Sequence, residues 1–131
     1  MVAAAAGNLY SLLITDDDDA LRDTLRTVFE PEGYDTYLAS CGTEAIRVVR
    51  QHRIHVVILD MQMPDLDGLE TICRIRDITQ TPIPYVLMSG DESKELHLKA
   101  LAAEAYSLIP KPFNVGIMRQ VVEEIIMRYY A

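Results

Sequence analysis

Four short apolar runs each end on polar groups whose types suit a single reaction. Asp60 closes residues 56–59 within His-Val-Val-Ile-Leu-Asp-Met-Gln-Met-Pro-Asp-Leu-Asp-Gly (55–68), Asp16 and Asp17 follow Leu12, Leu13, Ile14 and Thr15, Ser89 follows residues 83–88, and Lys111 stands just beyond residues 106–109. A carboxylate can act as a nucleophile and form a covalent intermediate. Two or three carboxylates within about 4 Å of one another repel by roughly 4 kcal/mol per pair at the effective dielectric near a protein surface, so a divalent cation is their natural neutraliser. Hard oxygen ligands that leave room for water favour Mg²⁺. An ammonium and a hydroxyl can take up charge on the oxygens of a transferring phosphoryl group. These types together predict that Asp60 accepts a phosphoryl group, with Ser89 and Lys111 assisting and Mg²⁺ among the acids.

Such a site exists only if the fold gathers residues spread over most of the chain. The run at 56–59 is apolar, partly β-branched and closed by Pro64, Asp67 and Gly68, the pattern of a strand buried on both faces. Further strands are predicted at 9–15, 34–39, 83–88 and 106–109. Pro82 and Pro84 fall at the beginning of the fourth, where a missing ladder donor is tolerable. Between the strands, helical spacing aligns Leu21, Leu25, Val28 and Phe29, then Ile46, Val49 and Arg53, then Leu69, Ile72, Cys73, Arg76 and Asp77, then Leu96 and Ala100. A last helix aligns Met118, Val122, Ile125, Ile126 and Tyr129. The acids at 16–19 suit the start of the first helix, where they cap N–H groups and complement its dipole, and Pro31 and Gly33 suit its end. Strands alternating with helices five times imply an α/β fold with a parallel sheet covered on both faces. In such a sheet the carboxyl ends of all strands share one edge, where ligands bind.

Composition narrows the functions. The chain of 131 residues has the size of one domain. A formal charge of −8 without a basic cluster argues against binding nucleic acid or an acidic membrane. Cys41 and Cys73 lack metal-ligand spacing and read as reduced structural thiols. Residues 1–8 have neither a positive leader nor a long apolar core, so they read as a disordered tail before a domain spanning 9–131, with the cytoplasm as the default compartment. His52, His55 and His97 read as surface or packing residues.

The pieces Leu-Leu-Ile-Thr-Asp-Asp-Asp-Asp (12–19), Ile-Leu-Asp-Met-Gln-Met-Pro-Asp-Leu-Asp-Gly (58–68), Met-Ser-Gly (88–90) and Lys-Pro-Phe (111–113) together resemble the receiver domains of two-component response regulators, the chemotaxis regulators included. The resemblance implies a flavodoxin-like (βα)5 sheet of strand order 2-1-3-4-5. It implies that a histidine kinase or histidine phosphotransfer protein phosphorylates Asp60, that Asp17, Asp60 and the backbone carbonyl of Gln62 hold Mg²⁺, and that Asp16 binds the ion through water. It further implies that Ser89 and Lys111 contact the phosphoryl group, that the Lys111–Pro112 peptide is cis, and that Gln62 and Asp91 influence how fast water removes the phosphate. The switching face would be the fourth helix, fifth strand and fifth helix, which could also form a homodimer.

Two positions depart from the pattern. Leu108 stands where similar proteins carry an aromatic residue, the nearest aromatic being Tyr106, expected one period back on the same face. Glu104 stands where Gly, suited to a left-handed helix cap, is common, so a different loop is expected there.

Each site residue taken singly has a plainer reading: a solvated helix start, a turn aspartate, a surface lysine. Two rival functions also fit parts of the pattern. A phosphatase of the haloacid dehalogenase type would use Asp16 and Asp18 as an Asp-x-Asp pair, and a receiver-like interaction module would never carry phosphate. The first predicts that Asp16→Asn abolishes phosphate uptake, whereas the receiver reading predicts this of Asp60→Asn.

Overall fold

Register places the chemistry before any side chain is considered. The computed structural model describes residues 10–131, so the expected tail at 1–8 and Leu9 lie outside the described residues. Strands β1 (Tyr10–Thr15), β2 (Tyr34–Ala39), β3 (Val56–Asp60), β4 (Tyr85–Ser89) and β5 (Ser107–Pro110) alternate with helices α1 (Asp19–Phe29), α2 (Gly42–Gln51), α3 (Gly68–Thr79), α4 (Lys94–Ala102) and α5 (Val115–Tyr129). All pairings are parallel and the order is β2-β1-β3-β4-β5, the flavodoxin-like order. Thr15 pairs with Leu59, Asp60 with Met88, and Ser89 with Pro110. Neighbouring strands thus end in step, and Asp16, Asp60, Ser89 and Lys111 leave the sheet at one edge.

Alternation along the strands divides the core in two. Leu12, Ile14, Ile58, Val86, Met88 and Ile109 face α1 and α5, meeting Leu25, Phe29, Met118, Val122 and Ile125. Leu13, Val57, Leu59, Tyr85 and Leu87 face the other helices, meeting Ala45, Val49, Ile72, Ile75 and Ala100. Every residue of β3 and β4 is buried, and each fully buried Val, Leu or Ile contributes on the order of 1.5–3 kcal/mol.

Local signals set most boundaries. Asp18 caps α1, accepting from the amides of Ala20 (3.0 Å) and Leu21 (3.2 Å). Past Phe29 the chain tightens into a 3-10 turn, Glu30–Glu32, ended by Gly33 at φ 92°. Pro82 and Pro84 precede β4. Pro84 lends the sheet only its carbonyl, which accepts from Val57 N at 3.2 Å.

Several predicted faces are corrected. In α2 the buried stripe is Gly42, Ala45 and Val49; Ile46 is half-buried, and Arg53 lies exposed beyond the helix end. In α3 it is Gly68, Thr71, Ile72 and Ile75, with Cys73 and Asp77 exposed. Tyr129 is 54% exposed and instead meets Tyr106 edge-on at 6.2 Å. Tyr106 and Leu108 do not share a face: Tyr106 packs toward α1 and α5, Leu108 toward the second core. Two-residue alternation holds only inside a strand, and Tyr106 precedes the first residue of β5.

The loop before β5 keeps its left-handed turn with Glu104 at φ 62°, at a steric cost of about 1 kcal/mol. Two donors offset that cost by gripping the preceding carbonyl: Ala103 O accepts from Arg76 Nη2 at 2.7 Å and from the Tyr85 hydroxyl.

Candidate functional site

The β1 exit carries Asp16, which is fully buried. Its carboxylate accepts from Asp18 N at 2.9 Å and receives the Lys111 ammonium at 2.6 Å. Arg22, from the first turns of α1, donates to the Asp16 carbonyl and pairs with Asp19. Asp17 is exposed, yet one oxygen from each of Asp16, Asp17 and Asp60 lies within 4.8 Å of the others. Asp18 turns Oδ1 to the amides of α1 and is not among the three acids whose oxygens converge.

Asp60 leaves β3 only 6% exposed, with Lys111 Nζ at 3.4 Å and Gln62 N at 3.4 Å. Burial pushes its carboxyl above the ordinary range and the Asp16 charge adds to this, while Lys111 and the Gln62 amide pull the other way. Burial alone would lower the Lys111 pKa, but its bond to Asp16 and the charges of Asp16 and Asp60 outweigh that and hold it above the ordinary value. The ammonium is thus locked in its charged form between two acids.

Ser89 is buried, its Oγ accepting from Asp91 N at 2.9 Å while its carbonyl accepts from Lys111 N at 2.8 Å. The Lys111–Pro112 peptide is cis, as the resemblance implied. Gln62 is exposed in the loop after β3. A cleft of roughly 600 Å³ opens beside the acids, lined by Asp17, Gln62, Met63, Asp91 and Ser93 among others. Asp16, Asp17, Asp60 and Lys111 are therefore brought together directly, with Ser89 and Gln62 flanking them. Three hard oxygen donors, one exposed to water, fit a small divalent cation such as Mg²⁺.

Sequence reasoning missed Asp65. Its carboxylate accepts from Gly42 N (3.0 Å), Thr43 N (2.9 Å) and the Thr43 hydroxyl, capping α2 from 23 positions away. The Thr43 hydroxyl, followed by backbone N–H groups, holds its carboxyl far below the usual range. The sole hint in the sequence is that Cys41, at the N-cap position of α2, is a poor cap and makes no side-chain bond to the helix.

A profile of the response regulator receiver domain matches residues 12–123. The chain belongs to that family. Among curated relatives, this receiver domain is 37% identical over 102 residues to response regulator MprA of Mycobacterium sp. (strain KMS), covering 78% of this chain and 44% of that one. It is 30% identical over 112 residues to the regulatory protein AtoC of Escherichia coli (strain K12), covering 86% and 24% respectively. The receiver domain thus spans less than half the length of these relatives. Among solved structures, a two-component response regulator from Clostridium difficile aligns with TM-score 0.87 at 26% identity, covering 94% of this chain and all of that one. The receiver domain of Francisella response regulator 1452 aligns with TM-score 0.83 at 27% identity, covering 92% and 98%.

Proposed function

We propose that this receiver domain takes a phosphoryl group onto Asp60 from a histidine kinase or histidine phosphotransfer protein and passes the change to the face formed by α4, β5 and α5. The observation that carries the reading is the Asp60 carboxylate, nearly buried at a strand end, with two acids and the Lys111 ammonium around it. Family membership supports the same reading.

In the step itself an Asp60 oxygen attacks the phosphorus of a phosphohistidine. The P–N bond breaks, its electron pair returns to the imidazole nitrogen, and an acyl phosphate forms on Asp60. Lys111 donates to a phosphoryl oxygen, and Ser89 turns its hydroxyl from the Asp91 amide toward another. Asp16, Asp17, Asp60 and the Gln62 carbonyl would hold Mg²⁺, which supplies charge neutralisation between the carboxylate and the phosphoryl oxygens. Hydrolysis later returns Asp60 to its starting form, with Gln62 and Asp91 beside the bond that water attacks.

Phosphorylation adds about −1.5 to −2 charges if the acyl phosphate resembles other phosphate esters, enough to bias a bistable face. On α4 that face exposes Leu98 (58%) and Leu101 (74%), apolar surface suited to an output partner or a homodimer. Leu108 at the usual aromatic position leaves Tyr106, on the opposite face, as the aromatic nearest the switch. Both cysteines are free, and among the described residues no helix is long and apolar enough to cross a membrane.

The test is exposure to Mg²⁺ and beryllofluoride, read by amide NMR. Shifts at Asp60, Ser89 and Lys111 that spread into α4 and β5 support the reading; an unchanged spectrum contradicts it and favours an inert interaction module.

A further inference from the structure

The loop that follows Asp60 is fixed from outside itself. At its far end Gly68 N donates to Met61 O at 2.9 Å, and Thr71 Oγ1 donates to Asp67 O at 2.8 Å. In its middle Asp65 makes contacts in two directions: Leu66 N donates to Oδ1 at 2.7 Å within the loop, while Gly42 and Thr43 donate from α2. Loop and helix end are packed without slack, since a Cβ on Gly42 would lie 2.8 Å from Leu66 Cβ. The α2 end also has a second, independent clamp, because Glu44 Oε1 accepts from Ser40 N at 2.6 Å and from Ser40 Oγ at 2.8 Å. That clamp stays within α2 and its approach; Asp65 is the loop side chain that hydrogen-bonds this helix end, beside the Leu66 packing on Gly42.

We infer that Asp65 is a positioning residue for the acceptor site: by bonding the N-terminus of α2 and its own loop at once, it holds residues 61–67, and with them the Gln62 backbone, in place for a divalent cation. The inference rests on the phosphoryl-acceptor reading of Asp60 and goes beyond it in assigning a role to a residue that touches neither the acids nor the cation. Groups that orient metal ligands without touching the metal typically change its affinity by 10- to 100-fold when removed. Asp65 acts one step further out, through backbone placement, which puts its effect at the low end of that range.

The experiment compares wild type with Asp65→Ala, Thr43→Val and Glu44→Ala by Mg²⁺ titration, amide hydrogen exchange of the metal-free protein and thermal melting. Asp65→Ala should weaken Mg²⁺ binding about ten-fold and speed exchange at Gln62 and Leu66 before any metal is added. Asp65→Asn, which keeps an acceptor oxygen, should recover part of both. Thr43→Val, which removes one bond and leaves the carboxylate, should give a smaller loss in the same direction and carries the test should Asp65→Ala fail to fold. Glu44→Ala should lower the melting temperature while leaving Mg²⁺ affinity unchanged. Wild-type Mg²⁺ affinity in Asp65→Ala and Thr43→Val, or an equal loss in Glu44→Ala, would overturn the inference. A wild type that binds no Mg²⁺ at all would instead overturn the acceptor reading, and the metal-free exchange rates would still report on the clamp.

Discussion

Removing the Asp60 charge separates two effects that the folded protein superimposes. On the proposed function the carboxylate serves as the phosphoryl acceptor, yet burial and the neighbouring Asp16 make it costly to keep ionised. Asp60→Asn should therefore stabilise the metal-free protein by about 1 kcal/mol, a shift of a few degrees in melting temperature for a domain of this size, while abolishing phosphate uptake. Melting in the presence of EDTA checks the first half; a variant no more stable than wild type would mean that Lys111 already compensates the site fully. At the other end of the sheet His55 sets a pH dependence. Its Nδ1 accepts from Ser11 N at 3.0 Å, so the ring is held neutral with its proton on Nε2, between Tyr10 and Tyr130. Burial, followed by the charge of Arg53, lowers its pKa from 6.5. A base whose pKa falls on folding favours the folded state above its unfolded pKa, and that contribution disappears as pH drops from 6.5 through the lower folded value. Urea titrations at pH 7.5 and 5.5 should show wild type losing stability and His55→Gln losing less.

At the scale of elements, the loop after β3 and the start of α3 leave no room for change. A Cβ on Gly68 would stand 2.8 Å from the Asp60 carbonyl and 3.0 Å from Met61 Cα, both backbone atoms that cannot step aside cheaply. Gly68→Ala should cost about 2 kcal/mol, within the usual range for overpacking, and slow phosphate uptake by displacing the residues next to Asp60. Denaturant unfolding and the uptake rate check the two parts. This scale also shows where reading the sequence succeeds and stops. The strand ends at Asp16, Asp60, Ser89 and Lys111 were legible because apolar runs closed by turn residues mark parallel strands, and parallel strands share an edge. The Asp65 clamp was not legible, since an aspartate in a Pro-x-x-x-Gly turn has a sufficient local explanation and its real partners lie 22 and 23 positions earlier. Nor was the opposite facing of Tyr106 and Leu108, which depends on where β5 begins rather than on residue type. Helical spacing alone places Arg53 on the α2 face, although the helix ends at Gln51.

Across the whole molecule, residues from positions 16 to 111 act on one another because five strands end in step. The Lys111 ammonium, 95 positions from Asp16, sits 2.6 Å from its carboxylate. The same sheet separates the site from the His55 cluster, so the acid site and the pH-sensitive packing at the opposite edge should vary independently. On the proposed function this convergence makes Asp60, and no other acid, the phosphoryl acceptor. Its most direct test is the intact mass of the wild type and of Asp60→Asn after incubation with Mg²⁺ and a small-molecule phosphodonor such as acetyl phosphate. The wild type should gain one phosphoryl group, absent when Mg²⁺ is withheld, and Asp60→Asn none; an unmodified wild type, or an Asp60→Asn variant modified to the same extent, would rule out Asp60 as the acceptor.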